Sequence, residues 1–404
     1  MIDRPTSRFL IRSTPPHIAT LILIAGISAL SMNIFLPSLP AMAKAFGTDP
    51  HVMNLAIAGY LGVNAVLQVL IGPLADRIGR RPVILGGLAV FVLATIGCIL
   101  APTIELFLLF RMIQAVIAVC FAVSRAMIRD MVPPEEAASM IGYVTMGMAI
   151  VPMIGPAIGG ELDRAFGWEA SFWALAVAGL AIGALCWADL GETQVHRSAG
   201  IGKQLREYPE LLASPRFWGY CMASALCSGA FFAYLGGAPF VGTEVFGLAS
   251  DKLGYFIGAP ALGYAAGNYL SGRFSRQAGI DRMVLWGTLI TAAGTALSLA
   301  LTYAGLTDQW SFFGLMTFVG LGNGMVIPNA TSGMLSVRPH LAATASGLGG
   351  AMMLGGGALL SGLVGAVLTP GSGAAPLQWI MVLTSIAATM SALLVIARRR
   401  AIRR

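Results

Sequence analysis

Gly72-Pro-Leu-Ala-Asp76-Arg77-Ile-Gly79-Arg80-Arg81-Pro82 separates two long apolar runs, and its residue choices decide how the chain is read. Gly72 permits close approach of a neighbouring helix, and Gly79 permits a tight turn. Asp76 suits the positive N-terminal end of a nearby helix, while Arg77, Arg80 and Arg81 suit water or carboxylates. An ordinary basic loop explains the arginines but not the aspartate with two glycines. The apolar runs on either side each have the roughly 20 residues needed to cross about 30 Å of hydrocarbon at about 1.5 Å per residue.

Working outward, twelve such windows occur: 17–38, 53–74, 82–101, 106–127, 138–160, 169–190, 217–241, 253–272, 283–305, 311–334, 342–367 and 376–397. The 404 residues are 57% hydrophobic and 11% charged. A soluble domain carries about 25% charged residues. With so little charge the chain cannot cover itself in water, so its solvent is lipid. Backbone amides must be paired within lipid, and the alternation of a barrel strand is absent, so the windows are helices. The expectation is an all-α membrane protein of twelve transmembrane helices. The first window is read as an uncleaved span, because it is too long for a signal peptide and is interrupted by Asn33 and Pro37.

Charge sets the orientation. With the N-terminus in the cytoplasm, 21 of the 25 Lys and Arg residues fall on the cytoplasmic side. Three, Lys44, Arg164 and Lys252, fall outside, and Arg111 lies within a span. This asymmetry puts both termini in the cytoplasm of an inner membrane. The net charge of +7 is thereby a matter of topology, with no nucleic acid as partner. The longest polar connection, residues 191–216, is a linker between two six-helix bundles, 1–190 and 217–404. Internal repeats of this kind place a substrate site between the halves. The repeat is faint: laying the loop after the second window on the loop after the eighth pairs Arg81 with Arg282 and Val83 with Val284, with Asp76 opposite Gln277.

Arg111 is the one fully embedded charge, and such a residue marks a functional site by default. Gln114 lies one turn on, on the same face. Asn33 is expected at a similar depth, facing the same cavity. Tyr60, Asn64 and Gln68 share one face of the second helix by their four-residue spacing. Phe231, Tyr234, Tyr264, Asn268 and Asn323 are the corresponding polar and aromatic candidates in the second half, since a cavity for apolar cargo needs apolar walls and a few polar anchors. The 18 acidic residues all fall in loops or at helix ends, with Glu105, Glu161 and Glu244 near the outer mouth. The five cysteines lie inside apolar spans without metal-ligand spacing, as packing residues. No metal or other cofactor is expected.

The Gly72–Pro82 loop resembles the signature loop of the major facilitator superfamily, which implies a cytoplasmic latch between the halves formed by Gly72, Asp76, Arg77, Gly79, Arg80 and Arg81. Gly155-Pro156-Ala-Ile-Gly159-Gly160 resembles the antiporter motif of its exporters. Leu36-Pro-Ser-Leu-Pro40, Arg111-Met-Ile-Gln114, Phe232-Ala-Tyr234-Leu-Gly-Gly-Ala-Pro239-Phe240-Val241 and Ile327-Pro-Asn-Ala-Thr331 resemble the Bcr/CflA drug-efflux family. The resemblance implies a monomeric, proton-coupled exporter of small, mostly apolar molecules, working by alternating access. The chain departs from that family at Asn33, where an Asp is usual, and at Ala115, where a Gly is usual. A metabolite exporter or uncoupled facilitator is the nearest rival. A membrane-embedded enzyme would need a nucleophile–base or metal cluster within the spans, which is not visible, and a sensor would need an attached soluble domain.

Overall fold

In the computed structural model the described residues are 9–12, 14–131, 140, 144, 151, 154–193, 209–338 and 341–403. They form helices joined by short turns, with no strand among them. In the first half these are α1 (Ile18–Asn33), α2 (Leu39–Ala45), α3 (Pro50–Ile78), α4 (Arg80–Leu100), α5 (Ile104–Gln114), α6 (Ala118–Met131), α7 (154–166) and α8 (Glu169–Asp189). The second half holds α9 (Pro215–Phe240), α10 (Ser250–Ile257), α11 (Ala259–Ala278), α12 (Ile280–Tyr303), α13 (Gln309–Val337), α14 (Ala342–Val367) and α15 (Ala375–Arg403).

Local chemistry explains the boundaries. Asp49 caps α3, its carboxylate accepting from His51 N at 2.8 Å, with Pro50 at the first helical position. Asp308 and Ser311 form a reciprocal capping box at the start of α13. Pro37 and Pro40 turn the chain through a 3-10 segment, Leu36–Ser38, between α1 and α2. A second 3-10 segment, Ala115–Ile117, joins α5 to α6 directly after Gln114. Mid-helix 3-10 geometry of this kind often marks a hinge. Beyond Pro239, α9 runs into a π-helical turn, Val241–Val245.

Ten helices, or helices joined end to end, are long and apolar enough to cross a membrane among the described residues. The fifth window, 138–160, falls mostly outside the description. The eighth is divided at Gly258 into α10 and α11, and α11 carries Asn268, Ser271, Arg273 and Arg276, which make it too polar to qualify alone.

Gly79 joins α3 to α4 at φ +111°, and Gly279 joins α11 to α12 at φ +83°. Both positions favour a residue without a side chain. Their correspondence sets the repeat at an offset of 200 residues, which corrects the register read from sequence by one. In this register Ile84 and Val284 match as buried residues and Gly87 matches Gly287. Asp76 then falls opposite Arg276.

Within the halves, α4 packs on α5 and α8, while α13 packs on α11 and α12. The α11–α13 contact is backbone to backbone. A Cβ on Gly263 would overlap Thr317 O, and one on Gly320 would overlap Pro260 O. Small residues take this place in lipid, where close packing must replace a hydrophobic driving force. Between the halves, α3 packs along α14.

Candidate functional site

Arg111 is fully buried in the first half, in a nest built by four helices. Its Nη2 donates to Ser31 O at 3.0 Å and its Nε to Ala56 O at 3.3 Å. Its Nη1 donates to Ser31 Oγ at 3.4 Å and to Gln114 Oε1. The guanidinium lies between two rings, 4.3 Å from the Phe35 centroid and 4.1 Å from that of Tyr60. Gln114 Nε2 donates to Thr95 Oγ1 at 2.7 Å, and Thr95 in turn donates to Phe91 O. Among the described residues no carboxylate takes part. The charge is therefore held by carbonyl dipoles and ring faces, which lower the cost of burying it without neutralising it.

On α3, Ala56, Tyr60 and Asn64 form one stripe at four-residue spacing. Asn64 Oδ1 is buried with no hydrogen-bond partner, and the buried Tyr60 Oη has only the Ser31 hydroxyl near it. Unsatisfied buried polar atoms are uncommon in native structures. Of these two, the Tyr60 ring lies against the embedded cation and Asn64 follows one turn along α3.

The expected pairing of Asn33 with Arg111 is not what the structure contains. Ser31 faces the arginine, and a residue two places on lies about 200° round the helix. Asn33 accordingly points away. Its Nδ2 donates to Ala29 O at 2.7 Å, and a Cβ on Gly155 would lie 3.7 Å from its Cβ. Gln68, one further turn along α3, reaches α14, its Oε1 lying 3.7 Å from where a Cβ on Gly350 would stand. Tyr234 is buried, with its hydroxyl donating to Ile257 O at 3.2 Å, so it ties α9 to α10. Asn323 is satisfied on both ends, donating to Val319 O and Cys227 O and accepting from Ser228 Oγ. Phe231 packs on Phe232, and Asn268 donates to Tyr264 O within α11. Tyr60, Arg111 and Gln114 are thus brought together with Asn64 one turn along, and the other candidates are not. Ser31, Phe35 and Thr95 were missed by sequence reading; serine and threonine are common in apolar helices and carry no distinguishing signal.

The loop after α3 is held within the first half. Glu192 accepts from Arg80 N at 3.0 Å and Arg81 N at 3.2 Å, placing a carboxylate on the positive N-terminal end of α4. A Cβ on Gly79 would come within 2.6 Å of that carboxylate. Arg80 Nε pairs with Asp130 Oδ2 at 3.2 Å. Arg81 donates to Leu190 O and Trp187 O, and Arg81 and Arg12 both lie over the Trp187 ring. Arg77 is exposed. The surroundings of Gly72 and the side chain of Asp76 lie outside the description, and with them the expected contact of Asp76 to the N-terminal end of a nearby helix. Sequence reading also missed Asp189, a fully buried carboxylate. It accepts from Leu10 N at 2.7 Å, His17 N at 2.9 Å and Thr20 Oγ1 at 2.7 Å, clipping Leu10 and the start of α1 to the end of α8.

The opposite end of the bundle is closed by contacts between the halves. Asn54 Nδ2 donates to Ser361 O at 2.7 Å, and His51 Nδ1 meets Gly365 O. A Cβ on Gly160 would overlap Ser250 O, and one on Gly254 would overlap Pro156 O, so α7 and α10 touch through bare backbone. Gly159 instead meets Ile34 O inside the first half. Beside them, Arg164 pairs with Glu161 at 2.8 Å and reaches Asp251 at 4.0 Å, while Tyr255 Oη donates to Glu161 Oε1 at 3.3 Å. The Glu161 carboxylate raises the Arg164 guanidinium above its usual value.

The profile described as the Major Facilitator Superfamily matches residues 21–362. The chain is 30% identical to a chloramphenicol resistance protein of Pseudomonas aeruginosa, over 86% of this chain and 84% of that protein. It is 26% identical to multidrug resistance protein D of Escherichia coli, over 84% and 86%. Among solved structures, a bacterial homolog of the human lysosomal transporter Spinster, in an inward-facing and occupied conformation, superposes with a TM-score of 0.71. That match covers 95% of this chain and 96% of the homolog at 18% identity, a likeness of fold.

Proposed function

The chain belongs to the major facilitator superfamily, and from that membership we propose that it exports small, mostly apolar, drug-like molecules across the inner membrane by alternating access, as a monomer with both termini in the cytoplasm. The observation that carries the reading is the contrast between its two ends. At the terminus-bearing end, charged groups tie helices of one half to each other. At the opposite, outer end, the two halves meet through glycine backbone and a few polar contacts. A seam of this kind can part while each half stays intact, which rocking about a central site requires. The names of the relatives support a drug as cargo. The 21-to-3 distribution of basic residues supports the orientation.

Protons are the proposed driving ion. Asn33 cannot titrate in the working range, and the described residues of the arginine nest include no acid. Coupling is therefore assigned to the outer end, where Glu161 of α7 bonds across the seam to Tyr255 of α10. Purified protein in inside-out vesicles should take up chloramphenicol, faster with an acidic lumen than without a gradient. No uptake of chloramphenicol in either condition would overturn the exporter reading. Uptake indifferent to the gradient would overturn the coupling and leave a facilitator.

A further inference from the structure

A cavity of about 260 Å³ opens at the outer end, and both halves build its walls. The first half contributes Lys44 of α2 and Met53 and Asn54 of α3, and the second contributes Pro239, Phe240 and Glu244. Drug-sized ligands occupy pockets of about 300–1,000 Å³, so this cavity suits something smaller than the proposed cargo. Its charges are one cation, Lys44 of the first half, and one anion, Glu244 of the second. Among the described residues neither Lys44 nor Glu244 takes part in an ion pair. Between them the lining is mostly apolar, with Leu39, Met53, Pro239 and Phe240. Asn54 is 6% exposed, and its Nδ2 is committed to Ser361 O. Its Oδ1 is buried without a partner, an unsatisfied acceptor at the edge of the cavity. The wall that carries Glu244 is the π-helical turn Val241–Val245, a geometry that recurs at functional sites.

We propose that this cavity binds compact zwitterions from the outer side, with an apolar body between separated charges, and that occupancy holds the outer gate shut. A carboxylate at Lys44, an ammonium at Glu244 and a chain of methylenes across Met53 and Phe240 match the walls. A molecule with a single charge satisfies one wall and meets repulsion or an unpaired charge at the other. Because the walls belong to different halves, the site exists only while they are together. A ligand that binds one of two states shifts the equilibrium by a factor of 1 + [L]/Kd, about 11-fold at ten times Kd. The binding needs only the cavity, whereas the effect on export rests on the alternating-access reading above.

The probe is 6-aminohexanoate, with hexanoate and hexylamine as single-charge controls, titrated calorimetrically against the full chain in lipid nanodiscs. The zwitterion should bind at least tenfold more tightly than either control. Lys44→Glu and Glu244→Lys, both at exposed positions, should each weaken it at least tenfold. The double variant should recover affinity, because a zwitterion can bind in reverse. In vesicles that export chloramphenicol, 6-aminohexanoate on the outer side should slow export by the native protein and the double variant, but not by the single variants. Equal binding of either control, full affinity in both single variants, no recovery in the double variant, or no binding at all overturns the site. Binding without slower export overturns the gate-holding role. Binding to a chain that exports nothing under any condition leaves the site standing and sinks the exporter reading instead.

Discussion

Arg111→Lys keeps the embedded charge and removes the planar fork, which makes it the sharpest test of the nest. Arg111 uses three nitrogens: Nε for Ala56 O, Nη2 for Ser31 O, and Nη1 for Gln114 Oε1 and Ser31 Oγ. A lysine has one nitrogen and cannot reach acceptors spread along that fork, so at least two of the bonds are lost. Hydrogen bonds to a charged group contribute about 1.5–3 kcal/mol each. A desolvated cation on a ring face adds about 2 kcal/mol, and here there are two rings. The terms are not additive, because a buried lysine can shed its proton and part of the cost with it. The expected loss is about 3–5 kcal/mol, the range for breaking a buried charge interaction. At about 1.36 kcal/mol per decade, that is at least a hundredfold. Two assays separate its meanings: thermal melting of the purified protein, and chloramphenicol transport well below the melting point. A folded Arg111→Lys protein should export at least a hundredfold more slowly. Melting and export both at native levels would refute the nest as an energetic and functional unit. Lower melting with native export at low temperature would leave the arginine as a structural group only.

Gly160→Ala should push α7 from α10 at Ser250 and loosen the outer seam; labelling of an introduced Asn54→Cys by a membrane-impermeant maleimide should rise, and unchanged labelling would show that the glycine contact does not seal. Asp189→Asn keeps one acceptor where three donors converge, so at about 1–3 kcal/mol per orphaned buried group it should release the N-terminal strap. Faster trypsin cleavage after Arg12 would report that release, and an unchanged rate would show that other contacts hold the strap.

The spans, the tight turn at Gly79 and the embedded Arg111 were legible in the sequence because each rests on a rule that one stretch of chain satisfies alone. Crossing lipid needs a certain length of apolar helix, and a charge within it stands out wherever it occurs. The contents of the nest were not legible. Whether Ser31 or Asn33 faces Arg111 depends on the rotation of α1, and a polar residue in an apolar helix does not announce which way that helix is turned. The repeat register missed by one residue for a related reason: Arg81 and Arg282 match as letters, but the backbone turns at Gly79 and Gly279. Tyr234 and Asn323 looked like cavity residues because their side chains are polar, yet both spend that polarity on neighbouring carbonyls, which in lipid is the default use of a polar group. Glu192 and Asp189 act on partners 111–179 residues away, a separation that local pattern does not span.

The two ends of the molecule differ in a way that bears on how it moves. Asp130, Asp189 and Glu192 are all carboxylates, and the contacts described for them lie inside the first half. They connect α4 to α6, the N-terminal strap and α1 to the end of α8, and the end of α8 to α4. Charge-assisted bonds are stronger and more directional than neutral ones, so this end resists relative motion of its own helices. The outer seam has a different character. Its closest contacts are glycine backbone against carbonyl oxygen, with one buried hydrogen bond from the Asn54 amide to Ser361 O, and Arg164, whose long contact to Asp251 crosses it, is largely exposed, where such a pair adds little. Breaking the seam therefore costs little compared with deforming a half. A perturbation such as bound cargo needs only a few kcal/mol of preference between open and closed to move the equilibrium, since a hundredfold change takes about 2.7 kcal/mol. Firm bonds within a half and weak ones between halves are what make such small preferences sufficient.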